Sequence, residues 1–76
     1  MINVMVFGQL EDVTGASMIL LDDVSNTDLL TETLFKQYPL LKNKKFLLAV
    51  NKQIISGTTN IDSSAEIALL PPFSGG

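Results

Sequence analysis

Only one stretch of this chain repeats its apolar residues at helical spacing. Leu30, Leu34 and Tyr38 recur every fourth position, with Leu29 and Phe35 beside them. All other apolar residues fall in runs too short for a helix and suited to strands. A single amphipathic helix cannot bury its stripe against itself, so it must lie on a sheet. The spacing therefore predicts a two-layer α+β domain, with four to five strands packed on one main helix. The chain has 76 residues and no cysteine, so apolar packing alone must hold that core. A chain this short buries only about 60% of its unfolded surface.

The elements can be placed from their punctuation. Ile2, Val4 and Val6 alternate with Asn3, Met5 and Phe7, a first strand expected to be at least partly covered on both faces. Gly8 ends it. Leu10 and Val13 mark a helical turn between Gln9 and Thr14, and Gly15 closes that turn. Ser17–Leu21 is a second strand, antiparallel to the first because the connection is short. Ser25, Asn26 and Thr27 offer N-caps, Asp28 suits the first turn of the main helix, and Pro39 stops it. A lysine-bearing loop over 42–45 precedes a strand at Phe46–Val50, a turn at Asn51-Lys52 and a short strand at Gln53–Ile55. A polar loop around Ile61 then leads to the last strand, Glu66–Leu70. This patterning leaves the strand order open.

The composition removes whole classes of function. With neither histidine nor cysteine, the chain lacks the commonest general base, the commonest metal ligand and any thiolate nucleophile. Net charge is −3 with no arginine, which argues against nucleic acid. No uncharged stretch approaches the length of a membrane span, and no basic leader precedes Ile2. The expected setting is cytoplasmic. Charge is segregated: Glu11, Asp12, Asp22, Asp23, Asp28 and Glu32 precede every lysine, and Lys36, Lys42, Lys44, Lys45 and Lys52 then follow with no acid among them. Lys42, Lys44 and Lys45 read first as a solvated loop and second as a steering patch for an acidic partner. Asp62 and Glu66 read as turn and strand-edge carboxylates rather than an acid–base pair.

The last residues carry the functional signal. Leu70-Pro71-Pro72-Phe73-Ser74-Gly75-Gly76 is uncharged and ends in two glycines. Proline fixes φ and offers no N–H, so Pro71-Pro72 leaves the sheet as a stiff stem. Glycine has no Cβ, so Gly75-Gly76 is slim enough for a narrow channel. Leu69 and Leu70 point to opposite faces of the last strand; one belongs to the core and the other to a partner surface. Phe73 either folds back over the sheet edge or anchors in a partner's pocket.

The run from Glu66 to Gly76 resembles the ending of the MoaD/ThiS ubiquitin-like sulfur-carrier family, and within it the MoaD type. That ending is a strand of form E-[VI]-A, two large apolar residues, Pro-Pro, an apolar residue, a small one and Gly-Gly. Phe7-Gly8-Gln9-Leu10 through Gly15 is similar to the family's first-strand exit. Val50-Asn51-Lys52 with Ile54-Ile55-Ser56 is similar to its paired strands. The family often has an arginine soon after the first strand, where this chain has Glu11. The resemblance implies a ubiquitin-like β-grasp fold over 1–76, with 71–76 a flexible tail.

It also implies a role. An E1-like enzyme would adenylate the Gly76 carboxylate with ATP, and a sulfur donor such as a cysteine desulfurase or rhodanese would convert it to a thiocarboxylate. Within molybdopterin synthase that group would give sulfur to cyclic pyranopterin monophosphate, forming the dithiolene of the molybdenum cofactor. Gly75 and Gly76 would be the reactive end, and Leu69, Leu70, Pro71, Pro72, Phe73 and Ser74 the partner-binding segment. The chain would bind no cofactor stably. It would act as the non-catalytic, sulfur-donating member of a heterotetramer with the large subunit. Other destinations are thiazole synthesis, which Pro71-Pro72 disfavours, tRNA thiolation, and conjugation to lysines as a protein modifier. A binding module with an incidental Gly-Gly end is the plainest alternative.

Overall fold

A computed structural model describes residues 1–72; Phe73, Ser74, Gly75 and Gly76 lie outside the described residues. Five strands, β1 (Ile2–Val6), β2 (Met18–Leu21), β3 (Leu47–Val50), β4 (Gln53–Ile54) and β5 (Glu66–Leu70), form one sheet. Its order is β2-β1-β5-β3-β4. The first and last strands are parallel neighbours at its centre, and every other pairing is antiparallel. A short helix α1 (Leu10–Thr14) fills the β1–β2 connection, and the main helix α2 spans Thr27–Gln37.

Asn26 begins α2 by accepting the Leu29 N–H on its side chain at 2.9 Å, satisfying one otherwise unpaired donor. Thr27 is buried and ties this end to the distant polar loop. Its hydroxyl oxygen accepts the Thr59 N–H, and its own N–H donates to the Thr59 carbonyl, both at 2.9 Å. Helical structure does not stop cleanly at Pro39. A 3₁₀ helix (Pro39–Asn43) follows, in which proline takes the first position where no N–H is needed, and it buries Leu41 completely.

Leu30 and Leu34 from α2 and Leu41 join Ile2, Val4, Val6, Ile19, Leu21, Ile67 and Leu69 in one core. Two rows cross the inner face of the sheet: Ile19, Val4, Ile67 and Val50, then Val6, Leu69 and Leu48. The two faces of β1 are covered unequally: Ile2, Val4 and Val6 are buried, while Met5 and Phe7 keep 47 and 41% of their surface exposed. Asn3, Met5 and Phe7 are exposed, because both helices pack on the other side.

Asn51 and Lys52 both have positive φ (51° and 71°), the turn that suits the twist of a two-residue hairpin, and asparagine tolerates it well. Asn51 also fixes the start of β5. Its side chain accepts the Glu66 N–H at 2.9 Å and its N–H donates to the Glu66 carbonyl at 2.8 Å.

Candidate functional site

The last strand delivers the chain's end from the middle of the sheet. β5 is held by β1 on one side and β3 on the other, and the ladder runs to its final residues. Phe7 N–H donates to the Leu69 carbonyl at 3.1 Å, and Leu70 lies opposite Leu47. A central strand cannot fray as an edge strand can, so Pro71 leaves the sheet from a fixed point.

Gly8 supports that point. Its φ is +61°, a left-handed conformation, and a Cβ built on it would sit 2.9 Å from Cγ of Pro71. Glycine is needed twice here, for the turn out of β1 and for the close approach of the proline ring. Pro71 is half-buried and Pro72 exposed. Both line a small cleft with Gln9, Leu10, Val13, Lys44 and Lys45. The turn after β1, helix α1 and the segment before β3 thus surround the stem, and the packed part of the chain extends at least to Pro71.

The structure separates Leu69 from Leu70. Leu69 is fully buried beneath the helix layer, so the expectation that its side chain meets a partner is corrected. Leu70 is partly exposed and shares the outer face with Phe7 and Leu47. Of the other expected partner-binding residues, Pro71 and Pro72 lie at the stem as described. Phe73 and Ser74, with the reactive pair Gly75 and Gly76, lie outside the described residues.

Patterning missed the outer face of the sheet. Register aligns Met18, Met5, Ala68, Ala49 and Ile54 in one row across all five strands. Leu20 flanks it, and Phe7, Leu70 and Leu47 continue it toward the stem. Met5, Met18, Leu20 and Ile54 are each about half exposed (47, 57, 56 and 54%). These side chains leave a row of apolar residues open to solvent on the face opposite the helices. The signal was present as Met5, Phe7, Met18 and Leu20 at alternate positions opposite the core residues, and only the register joined them.

The two carboxylates read as turn and strand-edge groups behave as such. Asp62 accepts the Ser64 hydroxyl at 2.8 Å and the Ser64 N–H at 2.9 Å. The hydroxyl first, then the N–H, holds its pKa below the ordinary carboxylate value. Glu66 is exposed.

The ThiS family model matches residues 4–76, from β1 through the final glycine. The chain belongs to the ThiS family. It is 35% identical to a molybdopterin synthase sulfur carrier subunit from Dictyostelium discoideum, covering 96% of this chain and 93% of that protein. The crystal structure of SAMP1 from Haloferax volcanii superposes with a TM-score of 0.82 at 20% identity, over 99% of this chain and 98% of that one. A chain from a complex of subunits 1 and 2 of the Helicobacter pylori molybdopterin-converting factor superposes at 0.74 with 22% identity, covering 99% and 97%. The fold is the α+β ubiquitin-like β-grasp, and the chain is a homologue within the MoaD/ThiS group. In that light Gly8 and Asn51, the middle of two motifs quoted from the sequence, hold the stem and the start of the strand that leads to it.

Proposed function

We propose that this chain is the sulfur-carrier subunit of a molybdopterin synthase and that the Gly76 carboxylate is its reactive group. A carboxylate is a stable anion and a poor electrophile, so it needs activation. Its oxygen attacks the α-phosphorus of ATP on an E1-like enzyme, and pyrophosphate leaves. The terminal sulfur of a donor persulfide then displaces AMP from the acyl carbon, and a thiol reductant cleaves the resulting acyl disulfide, giving a thiocarboxylate that passes its sulfur to the pterin precursor in the large subunit. ATP, the pterin and the catalytic side chains belong to partners; this chain contributes a threaded end.

The observation that carries this reading is the mounting of the stem. A central strand runs into Pro71, Pro71 rests on Gly8, and an apolar face begins beside it. Family membership and the 35% identical carrier subunit support the same role. The Helicobacter pylori complex pairs a protein of this fold with a second subunit, and the outer face from Met18 to Ile54 with Leu70 is the surface we assign to that contact.

The destination is tested by reconstitution. The charged chain, the large subunit and cyclic pyranopterin monophosphate should yield a dithiolene as the thiocarboxylate disappears. Thiocarboxylate that persists there, yet is consumed in a thiazole or tRNA thiolation assay, would move the carrier to another pathway. Gly76→Ala places a methyl beside the reacting carbonyl and should lower thiocarboxylate yield without altering the melting temperature.

A further inference from the structure

The sulfur-carrier role leaves the lysine loop unexplained. Lys42 lies in the 3₁₀ helix, and Lys44 and Lys45 lie between it and β3; all three are exposed. Among the described residues the one ion pair joins the Met1 amino group to Asp23 at 3.2 Å, so none of these lysines meets a carboxylate there. Lys44 and Lys45 line the same cleft as Pro71 and Pro72, and no acidic residue lines it. Glu11 and Asp12 instead line a groove on the other side of α1 with Gly15, Ala16 and Ser17. The base of the tail therefore carries positive charge on one side, in a chain whose net charge is −3.

Reach decides what those charges meet. The four residues beyond Pro72 span about 13 Å when extended. A lysine on its four-carbon stem at the base of the tail is too short to follow the terminal carboxylate into a channel that deep. Its ammonium stays at the mouth. We infer that Lys44 and Lys45 form a cationic collar that docks on carboxylates rimming the tail-accepting channel of the activating enzyme. Activation is a transient encounter repeated at every turnover, the kind of event that complementary charge accelerates most. This inference rests on the sulfur-carrier reading.

The test compares thiocarboxylate formation against carrier concentration, at low and high salt, for the full chain and three variants. Lys44→Gln/Lys45→Gln should raise KM roughly three- to tenfold at low salt with kcat unchanged, and the gap should shrink in high salt. Lys44→Glu/Lys45→Glu should raise it further. Lys36→Glu/Lys52→Glu makes the same change in net charge and should match the wild type more closely than either. Thermal melts confirm that each variant folds, and the neutral pair serves if the reversed pair does not. Equal KM for the two reversed pairs would overturn the collar, as would a loss confined to kcat. A fall in KM would also overturn it, because the lysines would then be holding the free carboxylate back. No charging of wild-type carrier would instead defeat the sulfur-carrier reading itself.

Discussion

Replacing Gly8 by alanine tests how the stem is held, because the structure separates two costs that usually come together. The first is conformational: an L-residue at φ +61° costs about 1–2 kcal/mol. The second is steric. The new Cβ would lie 2.9 Å from Cγ of Pro71, so the ring or the β1 exit must move until the contact reaches at least 3.4 Å. Pucker relieves part of this, but the ring is tied to the backbone at both ends. Overpacking of this kind costs about 1–3 kcal/mol. Together they predict a loss of about 2–5 kcal/mol and a melting temperature lower by roughly 10 °C or more. Gly15 and Gly57 are natural controls. Their φ values are +75° and +90°, and nothing lies within 4 Å of a Cβ built on either. Alanine there should incur only the first cost. Urea denaturation of the four proteins, with Pro71→Ala completing a double-mutant cycle, measures the difference. The Gly8→Ala and Pro71→Ala changes should couple by about 1 kcal/mol or more, the proline truncation relieving the alanine. The displaced stem should also weaken activation. Strict additivity, with Gly8→Ala no worse than Gly15→Ala, would refute the contact as the support of the tail.

Three further outcomes follow from named contacts. Asn26→Ala removes the cap on α2 and should cost about 1 kcal/mol in denaturant unfolding, while activation of the folded fraction is unchanged. Leu70→Asp places a charge on the outer face beside Phe7, and should weaken binding to the large subunit roughly tenfold or more with little change in stability; Leu69→Ala, in the core, should instead lose about 2–5 kcal/mol of stability. For Asp62, the folded pKa lies below the unfolded one, so its contribution is present above the unfolded value and fades as pH falls through the folded value. Asp62→Asn should therefore flatten the stability profile only in the acid range, below about pH 4, as thermal melts across pH would record.

Much of this architecture could be read from local pattern because the determinants are local. Asn26 caps the helix that Leu30 and Leu34 anchor, and the turn at Asn51-Lys52 was legible from residues that tolerate positive φ. Non-local features were not. The parallel pairing of β1 with β5 joins residues more than sixty positions apart, and no periodicity encodes it. Met5 and Phe7 are about half covered, but which face of β1 turns toward solvent is visible only once both helices are placed on the opposite face. Parity put Leu69 and Leu70 on opposite sides but could not say which was inside. Pro39 ends the α-helical bonding as expected, yet proline is equally at home at the start of the 3₁₀ turn that buries Leu41. The Gly8–Pro71 contact joins two motifs that sequence treats as separate.

The most direct measurement is intact mass. The full chain is incubated with its E1-like enzyme, ATP and a sulfur donor, and the C-terminal peptide is then isolated. A gain equal to exchanging one oxygen for sulfur is expected, confined to the peptide ending in Gly76 and dependent on ATP. An unchanged mass, with an enzyme shown to be active on another carrier, would contradict the sulfur-carrier reading.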